Sequence, residues 1–337
     1  MSNTSLSPSE SLPFTVLRRT WQPVMNARDL TPGKPHTVTL LNERIAVWRD
    51  STGTPCAVKD HCPHRGARFG IGSVHGNDIV CPYHGWRFSG RGACTVVPSL
   101  GTCTPPAGFA IKGFEATERY GFVWVLLEGP AISPIPDIPA FEDPAWTYIV
   151  ADPMEFACGY RREIENYLDM SHFAFAHASS LGTAASPIID RFEVHDHEDG
   201  FRMEAEFPAL DGADAHLSRL QSAHHRSQRC HLPNVTTIRQ QWPDGNARVL
   251  VHVPSPITPT SCRVFWSVAI SPNFDGPPPA DQLRFAVHVL DEDRRMCENQ
   301  DPPEVPMEVE ECRLVPADRL ATTFRRTFKS FCINNAP

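Results

Sequence analysis

Cys62-Pro-His64 and, sixteen residues later, Cys81-Pro-Tyr-His84 put one thiolate and one imidazole on each of two short segments. Two thiolates and two imidazoles are the donor set of a [2Fe–2S] centre in which histidines replace cysteines on one iron and raise its potential. The mixed spacing lets each segment span the cluster, with its Cys on one iron and its His on the other. Gly66 and Gly85 follow these runs, and a residue without Cβ lets backbone approach a bulky group closely. A tetrahedral zinc site is the competing use of two cysteines and two histidines. Finger-type spacing, however, pairs Cys with Cys and His with His, whereas here each segment carries one of each.

A second constellation lies in Glu165-Asn-Tyr-Leu-Asp169-Met-Ser-His172-Phe-Ala-Phe-Ala-His177. Two histidines and a distant carboxylate can build the 2-His-1-carboxylate triad, which leaves positions on ferrous iron open to oxygen. Packing or surface chemistry is the alternative for two of the 15 histidines. A one-electron centre upstream favours the metal, because electrons need an acceptor. A spacing of five turns two side chains about 140° apart on an ideal helix. A helix through 160–172 must therefore distort, or end near His177, for both imidazoles to reach one ion. Asp169 and His172 are three apart and share a face, so the carboxylate can hydrogen-bond the imidazole or stand behind it.

Both constellations need a scaffold. With 337 residues, 41% of them hydrophobic, the chain can bury a sizeable core and is expected to hold two domains. Alternation at 37–41, 45–48 and 122–126 predicts short strands, with glycine and proline punctuating the cluster segments. Residues 1–14 read as a disordered tail and 15–128 as a small β domain. Five prolines between 130 and 144 mark 129–145 as an extended connector. Residues 146–337 form a second domain, with strands at 192–195, 235–241, 248–253 and 263–270 and helices at 160–172 and 282–300. Leu320, Phe324 and Phe328 recur four apart as a helical core stripe.

In the order CPH…CPYHGW followed by ENYLDMSHFAFAH, the chain resembles the catalytic α subunit of Rieske non-haem iron oxygenases over nearly its whole length. The compact Asn166-x2-Asp169-x2-His172-x4-His177 form resembles the monooxygenase and demethylase branch typified by vanillate O-demethylase. The resemblance implies an α+β fold: an N-terminal all-β Rieske [2Fe–2S] domain and a C-terminal helix-grip (Bet v1-like) catalytic domain with an antiparallel sheet. It implies that Cys62, His64, Cys81 and His84 hold the cluster and that His172 and His177 hold Fe(II). The third iron ligand is then Asp293, from Glu292-Asp293-RRMC-Glu298. Asp291 and Glu292 compete for that role, and an acidic solvated helix face is the plain alternative. Asn166 and Asp169 are the catalytic polar residues of the motif. In a head-to-tail homotrimer, Asp169 would connect a cluster histidine, His84, to His172 across the subunit boundary; a helix cap or surface role is its structural alternative.

The implied activity is that of an oxygenase component. It uses O2 and electrons from NAD(P)H, delivered by a separate reductase with or without a ferredoxin, to hydroxylate or O/N-demethylate a small aromatic or cyclic substrate. A ring-dihydroxylating dioxygenase is the nearer alternative, and a non-catalytic Rieske electron carrier with a ligand-binding domain the more distant one. No flavin or nicotinamide fingerprint is present, which is why a separate reductase is expected. Arg65, Arg68, Arg87 and Arg91 lie near the cluster segments and suit an acidic electron donor, scattered surface charge being the alternative. The segment 210–231, polar and rich in histidine, reads as a lid loop or a flexible insertion. Leu181, His231, Val251 and Phe265 are candidate pocket-lining residues, with core packing the alternative for the apolar ones.

Charge and composition exclude other classes. Asp and Glu number 39 against 31 Lys and Arg, which gives nucleic-acid binding no electrostatic support. The apolar run at 120–127 is too short to span a membrane. Eleven cysteines in a chain of this length do not form a small secreted disulfide framework, and the polar N-terminus lacks a signal peptide's features, so a cytoplasmic location is expected.

Overall fold

Runs of β-branched and aromatic residues separated by glycine turns become strands in both halves of the chain. A computed structural model describes residues 12–178, 180, 192–207, 209, 218–307 and 312–336. The chain divides into two units between Ile135 and Pro136.

The first unit opens with helix α1 (Leu12–Leu17) and is otherwise built of strands and short turns. Its larger sheet contains β1 (Gln22–Asn26), β2 (His36–Leu40), β3 (Glu43–Arg49), β4 (Pro55–Lys59), β9 (Gly113–Arg119) and β10 (Phe122–Leu126), in the order β1-β10-β9-β4-β3-β2. A smaller sheet runs β5-β6-β7-β8 through Ser73–His75, Asp78–Val80, Arg87–Phe88 and Cys94–Val96. Tyr120 and Gly121, at φ 57° and 81°, make the two-residue turn that pairs β9 with β10. Two left-handed residues in succession match the right-handed twist of the flanking strands. Phe14, Val16 and Leu17 are buried in α1, so residues 12–14 of the segment expected to be a disordered tail are helical; residues 1–11 lie outside the described residues.

The second unit is an eight-stranded antiparallel sheet flanked by helices. Its strands are β11 (Thr147–Val150), β12 (Met154–Phe156), β13 (Glu193–His197), β14 (Gly200–Phe207), β15 (His224–His231), β16 (Val235–Gln241), β17 (Ala247–Thr258) and β18 (Ser261–Ile270). The order is β11-β18-β17-β16-β15-β14-β13, with β12 also pairing with β18. The helices are α2 (Pro139–Glu142), α3 (Tyr160–Leu168), α4 (Phe173–Ala176), α5 (Ser218–Gln221), α6 (Pro279–Glu298) and α7 (Arg319–Asn334). The mixed α+β class expected from sequence is what the chain adopts.

Three elements differ from expectation. The helix predicted over 160–172 stops at Leu168, because Asp169 takes an extended conformation (φ −75°, ψ 146°), and a new turn begins after His172. Within 210–231, residues 224–231 are not loop but the full strand β15, hydrogen-bonded on both edges; residues 210–217 lie outside the described residues. The connector includes the short helix α2, which starts at Pro139, where a missing N–H costs nothing.

α3 is held by packing and charge. Its Tyr160 ring meets Phe328 of α7 edge-on at 6.3 Å, and Leu320, Phe324 and Phe328 are all buried. Arg325 of α7 forms a bidentate pair with Glu165, Nε to Oε1 at 2.6 Å and Nη2 to Oε2 at 2.8 Å. Little of either side chain is exposed, so removing one partner strands a desolvated charge. Arg325→Leu is expected to lower unfolding free energy by about 3 kcal/mol in urea titrations. A change below about 0.5 kcal/mol would show that α3 is anchored by packing alone.

Candidate metal centres

The cluster residues sit on two loops of the first unit that repeat one local geometry. Cys62 lies between β4 and β5, and Cys81 between β6 and β7. In each loop the Cys carbonyl accepts from the glycine four residues on, Gly66 N at 2.8 Å and Gly85 N at 3.0 Å. Each Cys amide in turn donates to the carbonyl five residues on, that of Ala67 at 2.9 Å and of Trp86 at 2.8 Å. Gly66 and Gly85 have φ of 72° and 68°, which a side chain would strain, so these glycines are what close the loops.

The loops bring the four donors together. Cys62 and Cys81 are buried, while the rings of His64 and His84 lie 4.4 Å apart at the surface. Burial and the neighbouring Cys81 thiol push the Cys62 thiol up to about 11. Two adjacent buried sulfurs thus ionise only beside compensating positive charge, which a metal cluster provides. Desolvation and the nearby His64 and Arg65 charges keep His84 below its usual pKa, favouring the neutral imidazole that a metal requires. Trp86 stacks on His64 at 4.8 Å and on Phe109 at 4.9 Å, fixing the plane of that imidazole. Asp60 ties the first loop to the sheet by accepting from Phe69 N at 2.6 Å and Thr37 Oγ1 at 3.1 Å. The four donors suit a mixed thiolate and imidazole cluster.

The second centre forms where α3 ends. His172 Nε2 and His177 Nε2 are 3.1 Å apart, and Asp293 Oδ1 from α6 lies 3.4 Å from the first and 3.1 Å from the second. Three ligands about 2.1 Å from one ion and mutually at right angles would stand about 3 Å apart, so this triangle has the dimensions of one face of an octahedral site. The outer nitrogens are also held. His172 Nδ1 lies 2.8 Å from Asp169 Oδ2, and His177 Nδ1 lies 2.9 Å from Glu292 Oε2. Asn166 Nδ2 donates to Asp293 Oδ1 at 2.7 Å, and Ser180 Oγ donates to Glu292 Oε2 at 2.6 Å.

Electrostatics agree with the geometry. Burial alone would lower His172, but hydrogen bonds to Asp169 and Asp293 and their charges outweigh it and raise the imidazole to about 9. Burial alone would raise Asp293, but hydrogen bonds from His172 and His177 and the charge of His177 hold it at about 2. Asp293 and Glu292 are both buried, and Asp169 adds a third carboxylate. Such a concentration of negative charge calls for a cation.

His172, His177 and Asp293 are thus brought together, with Asn166 and Asp169 in contact with them. Of the competitors for the carboxylate, Glu292 turns to the far nitrogen of His177, and Asp291 pairs with Arg294 and Arg295 on the outside of α6. The pocket candidates are not brought to this centre. His231 pairs with Asp199 at 2.7 Å. Val251 and Phe265 alternate with His252 and Trp266 and so face away from α3, which His252 meets by stacking on Tyr167 at 3.7 Å. Leu181 lies outside the described residues. Trp86, Asp60 and Ser180 were not anticipated; the position of Trp86 in CPYHGW was the one available signal.

Two family models match the chain: a Rieske [2Fe–2S] domain over residues 20–114 and a vanillate O-demethylase oxygenase C-terminal domain over residues 156–332. The chain is similar to methylxanthine N1-demethylase NdmA of Pseudomonas putida, 30% identical over 324 residues that cover 92% of this chain and 88% of the relative. It is also similar to the vanillate O-demethylase oxygenase subunit of a Pseudomonas strain, 35% identical over 169 residues, 49% of each chain. The solved structure of NdmB from P. putida CBB5 superposes with a TM-score of 0.83 at 28% identity, covering 95% of this chain and 92% of that one.

Asp293→Ala removes a corner of the triangle and the acceptor of Asn166. Metal analysis should then find about one iron fewer per chain, by the ligand count, with the visible absorption of the cluster unchanged. Full iron occupancy in that variant would move the third ligand elsewhere.

Proposed function

The chain belongs to the Rieske non-haem iron oxygenases, with a C-terminal domain of the vanillate O-demethylase type, and from that membership we propose that it hydroxylates an O- or N-methyl carbon of a small cyclic substrate and so demethylates it. The carrying observation is the triangle of His172, His177 and Asp293, with separations of 3.1 to 3.4 Å, together with a separate two-loop set of Cys62, His64, Cys81 and His84. The relatives named for N- and O-demethylation support the choice of reaction.

When bound, the cluster supplies electrons singly and the ferrous ion supplies a site for O2 activation. The residues of the chain supply orientation. Asp169 accepts from the Nδ1 side of His172, and Glu292 from that of His177, which leaves the two Nε2 atoms, 3.1 Å apart, available to one ion. Asn166 holds the Asp293 carboxylate in the same place. In the overall reaction one oxygen atom enters a C–H bond of the methyl group and the other leaves as water. Two electrons come from NAD(P)H. The resulting hemiaminal or hemiacetal collapses to formaldehyde and the demethylated product.

Electrons enter through a separate reductase. Arg65, Arg68 and Arg91 are exposed beside the cluster loops and suit an acidic donor surface. Asp169 keeps about a quarter of its side chain exposed while bonded to His172, which suits a link between His172 and the cluster histidine His84 of a neighbouring copy in a head-to-tail trimer. None of the eleven cysteines is in a disulfide, which suits a reducing, cytoplasmic setting, and no helix among the described residues is long and apolar enough to cross a membrane.

With NADH and a reductase, a panel of N- and O-methylated cyclic compounds should yield formaldehyde and consumed O2 in equal amounts. A cis-diol product carrying both oxygen atoms would replace this reading with dihydroxylation. Asp169→Asn should retain both metal centres and lose at least about tenfold in turnover. Unchanged turnover would remove Asp169 from the electron path.

A further inference from the structure

The sheet of the second unit turns a row of cationic and amide side chains toward α3. Cross-strand pairing sets Arg226, Gln240 and Arg248 side by side on β15, β16 and β17. Strand alternation gives them the same face as Gln228 and His252. That face is the one α3 covers, since Gln228 Nε2 donates to the Tyr167 carbonyl at 2.9 Å and His252 stacks on the Tyr167 ring. The row also borders the metal-binding imidazoles. The Arg226 guanidinium carbon is 6.0 Å from the centre of the Phe173 ring, which lies 4.9 Å from the His172 ring and 5.6 Å from the His177 ring.

The charge on this row is uncompensated. Among the described residues neither guanidinium has an ion-pair partner. Arg226 Nη2 donates to Gln228 Oε1 at 2.9 Å, and Arg248 Nε donates to Gln240 Oε1. Arg226 is 7% exposed, and its Nε is a buried donor with no acceptor among the described residues. Burial pulls both arginines down to about 10, which leaves them charged at neutral pH. The neighbouring His224 adds nothing to offset them. Its Nδ1 donates to the Ser222 carbonyl at 2.8 Å and its Nε2 accepts from Gln240 Nε2 at 2.8 Å, which fixes the neutral tautomer.

Two desolvated like charges side by side are costly unless an anion joins them. The carboxylates of the region are engaged elsewhere, Asp169, Glu292 and Asp293 at the imidazoles and Glu163 at His252. Two aromatic rings flank Arg226: the centre of Phe207 lies 5.2 Å from the guanidinium carbon, and Phe173 stands between Arg226 and the imidazoles. A flat molecule with an anionic group at one end fits this polarity.

We propose that Arg226 and Arg248 form an anion-binding end of the substrate pocket, and that the substrate is an aromatic carboxylate whose far end, bearing the reacting methyl group, is turned toward His172 and His177. This rests on the oxygenase reading for its second half, while the anion site stands on the arginines alone. Guanidinium recognises carboxylate by paired, charge-assisted hydrogen bonds, so a neutral amide of the same shape forfeits most of the interaction.

The test is calorimetric titration of the protein loaded with both metal centres. The probes are 4-methoxybenzoate, 3-methoxybenzoate and indole-3-carboxylate, each beside its uncharged primary amide. At least one carboxylate should bind tenfold or more tightly than its amide. Arg248→Gln, at a partly exposed position, and Arg226→Gln should each reduce that preference severalfold with amide binding and iron content unchanged. If Arg226→Gln does not fold, the wild-type comparison and Arg248→Gln decide. Carboxylates that bind no better than their amides, or a preference that survives both substitutions, would overturn the inference. O2 uptake with a reductase, followed on the same samples, separates the two readings. Carboxylate binding without uptake on any methylated compound would count against the oxygenase reading alone. Uptake and formaldehyde from neutral methylated heterocycles, with no carboxylate preference, would count against the anion site alone.

Discussion

Two imidazoles five residues apart cannot meet on a straight helix, and the second unit is organised around the break that lets them meet. At 100° per residue they diverge by about 140°. The chain resolves this by leaving the helix at Leu168 and passing Asp169 through an extended conformation. The break also redirects the Asp169 carboxylate. One oxygen accepts from the His172 backbone and ring, and the other from the backbone and hydroxyl of Ser171. The residue that ends α3 thereby starts the turn that carries both histidines. Ending a helix in this way forfeits further backbone bonds, and the side-chain bonds of Asp169 offset part of that loss.

A break of this kind is useful only if the pieces on either side stay in register. Glu165, one residue before Asn166, is clamped by Arg325 of α7, and Glu163, two turns before Met170, meets His252 of β17 at 2.8 Å in a fully buried pair. Asn166 then reaches across to Asp293 on α6. One helix of nine residues thus contacts the sheet, α7 and α6 through polar groups at three positions, Glu163, Glu165 and Asn166. Buried polar contacts add little net stability, but they penalise every misaligned packing because each would leave a donor or charge unpaired. The same contacts that fix α3 therefore fix the corner of the metal triangle.

How far the sequence could be read follows from where the chemistry demands particular atoms. The two Cys–His pairs and the two histidines that the structure brings together could be singled out because metals accept few donor types and the spacing between them is short. Asp293 is isolated from them by more than a hundred residues, and only resemblance to a family pattern singled it out from Asp291 and Glu292. Physical reasoning without that pattern could not separate three acids at successive positions: helix rotation turns Asp291 outward to two arginines, while Glu292 and Asp293 both face inward. The helix break was deduced as a necessity but placed too late, since nothing in Leu-Asp-Met-Ser lowers helix propensity steeply. Val251 and Phe265 were attractive as pocket residues because they are apolar and lie in the right strands. The register, invisible in one sequence, puts them on the opposite face.

The misreading of 224–231 is the most instructive of these failures. His-His-Arg-Ser-Gln-Arg-Cys-His has no apolar alternation and so does not register as a strand by the usual test. That test assumes that the buried face of a strand is greasy. Here the face covered by α3 carries His224, Arg226 and Gln228, all buried, and the opposite face carries His225, Ser227 and Arg229. A strand polar on both faces gains little from hydrophobic burial. It is retained by the two full ladders that pair it with β14 and β16, and by the amide links from Gln228 to Tyr167 and from Gln240 to His224. Places where local pattern and realised structure conflict are those where a fold gives up stability for another purpose. In this chain the conflict falls on the strand that carries Arg226, which among the described residues has no ion-pair partner and lies one ring away from His172 and His177, so the polarity that hid the strand from the sequence reading also places a cation beside that triangle.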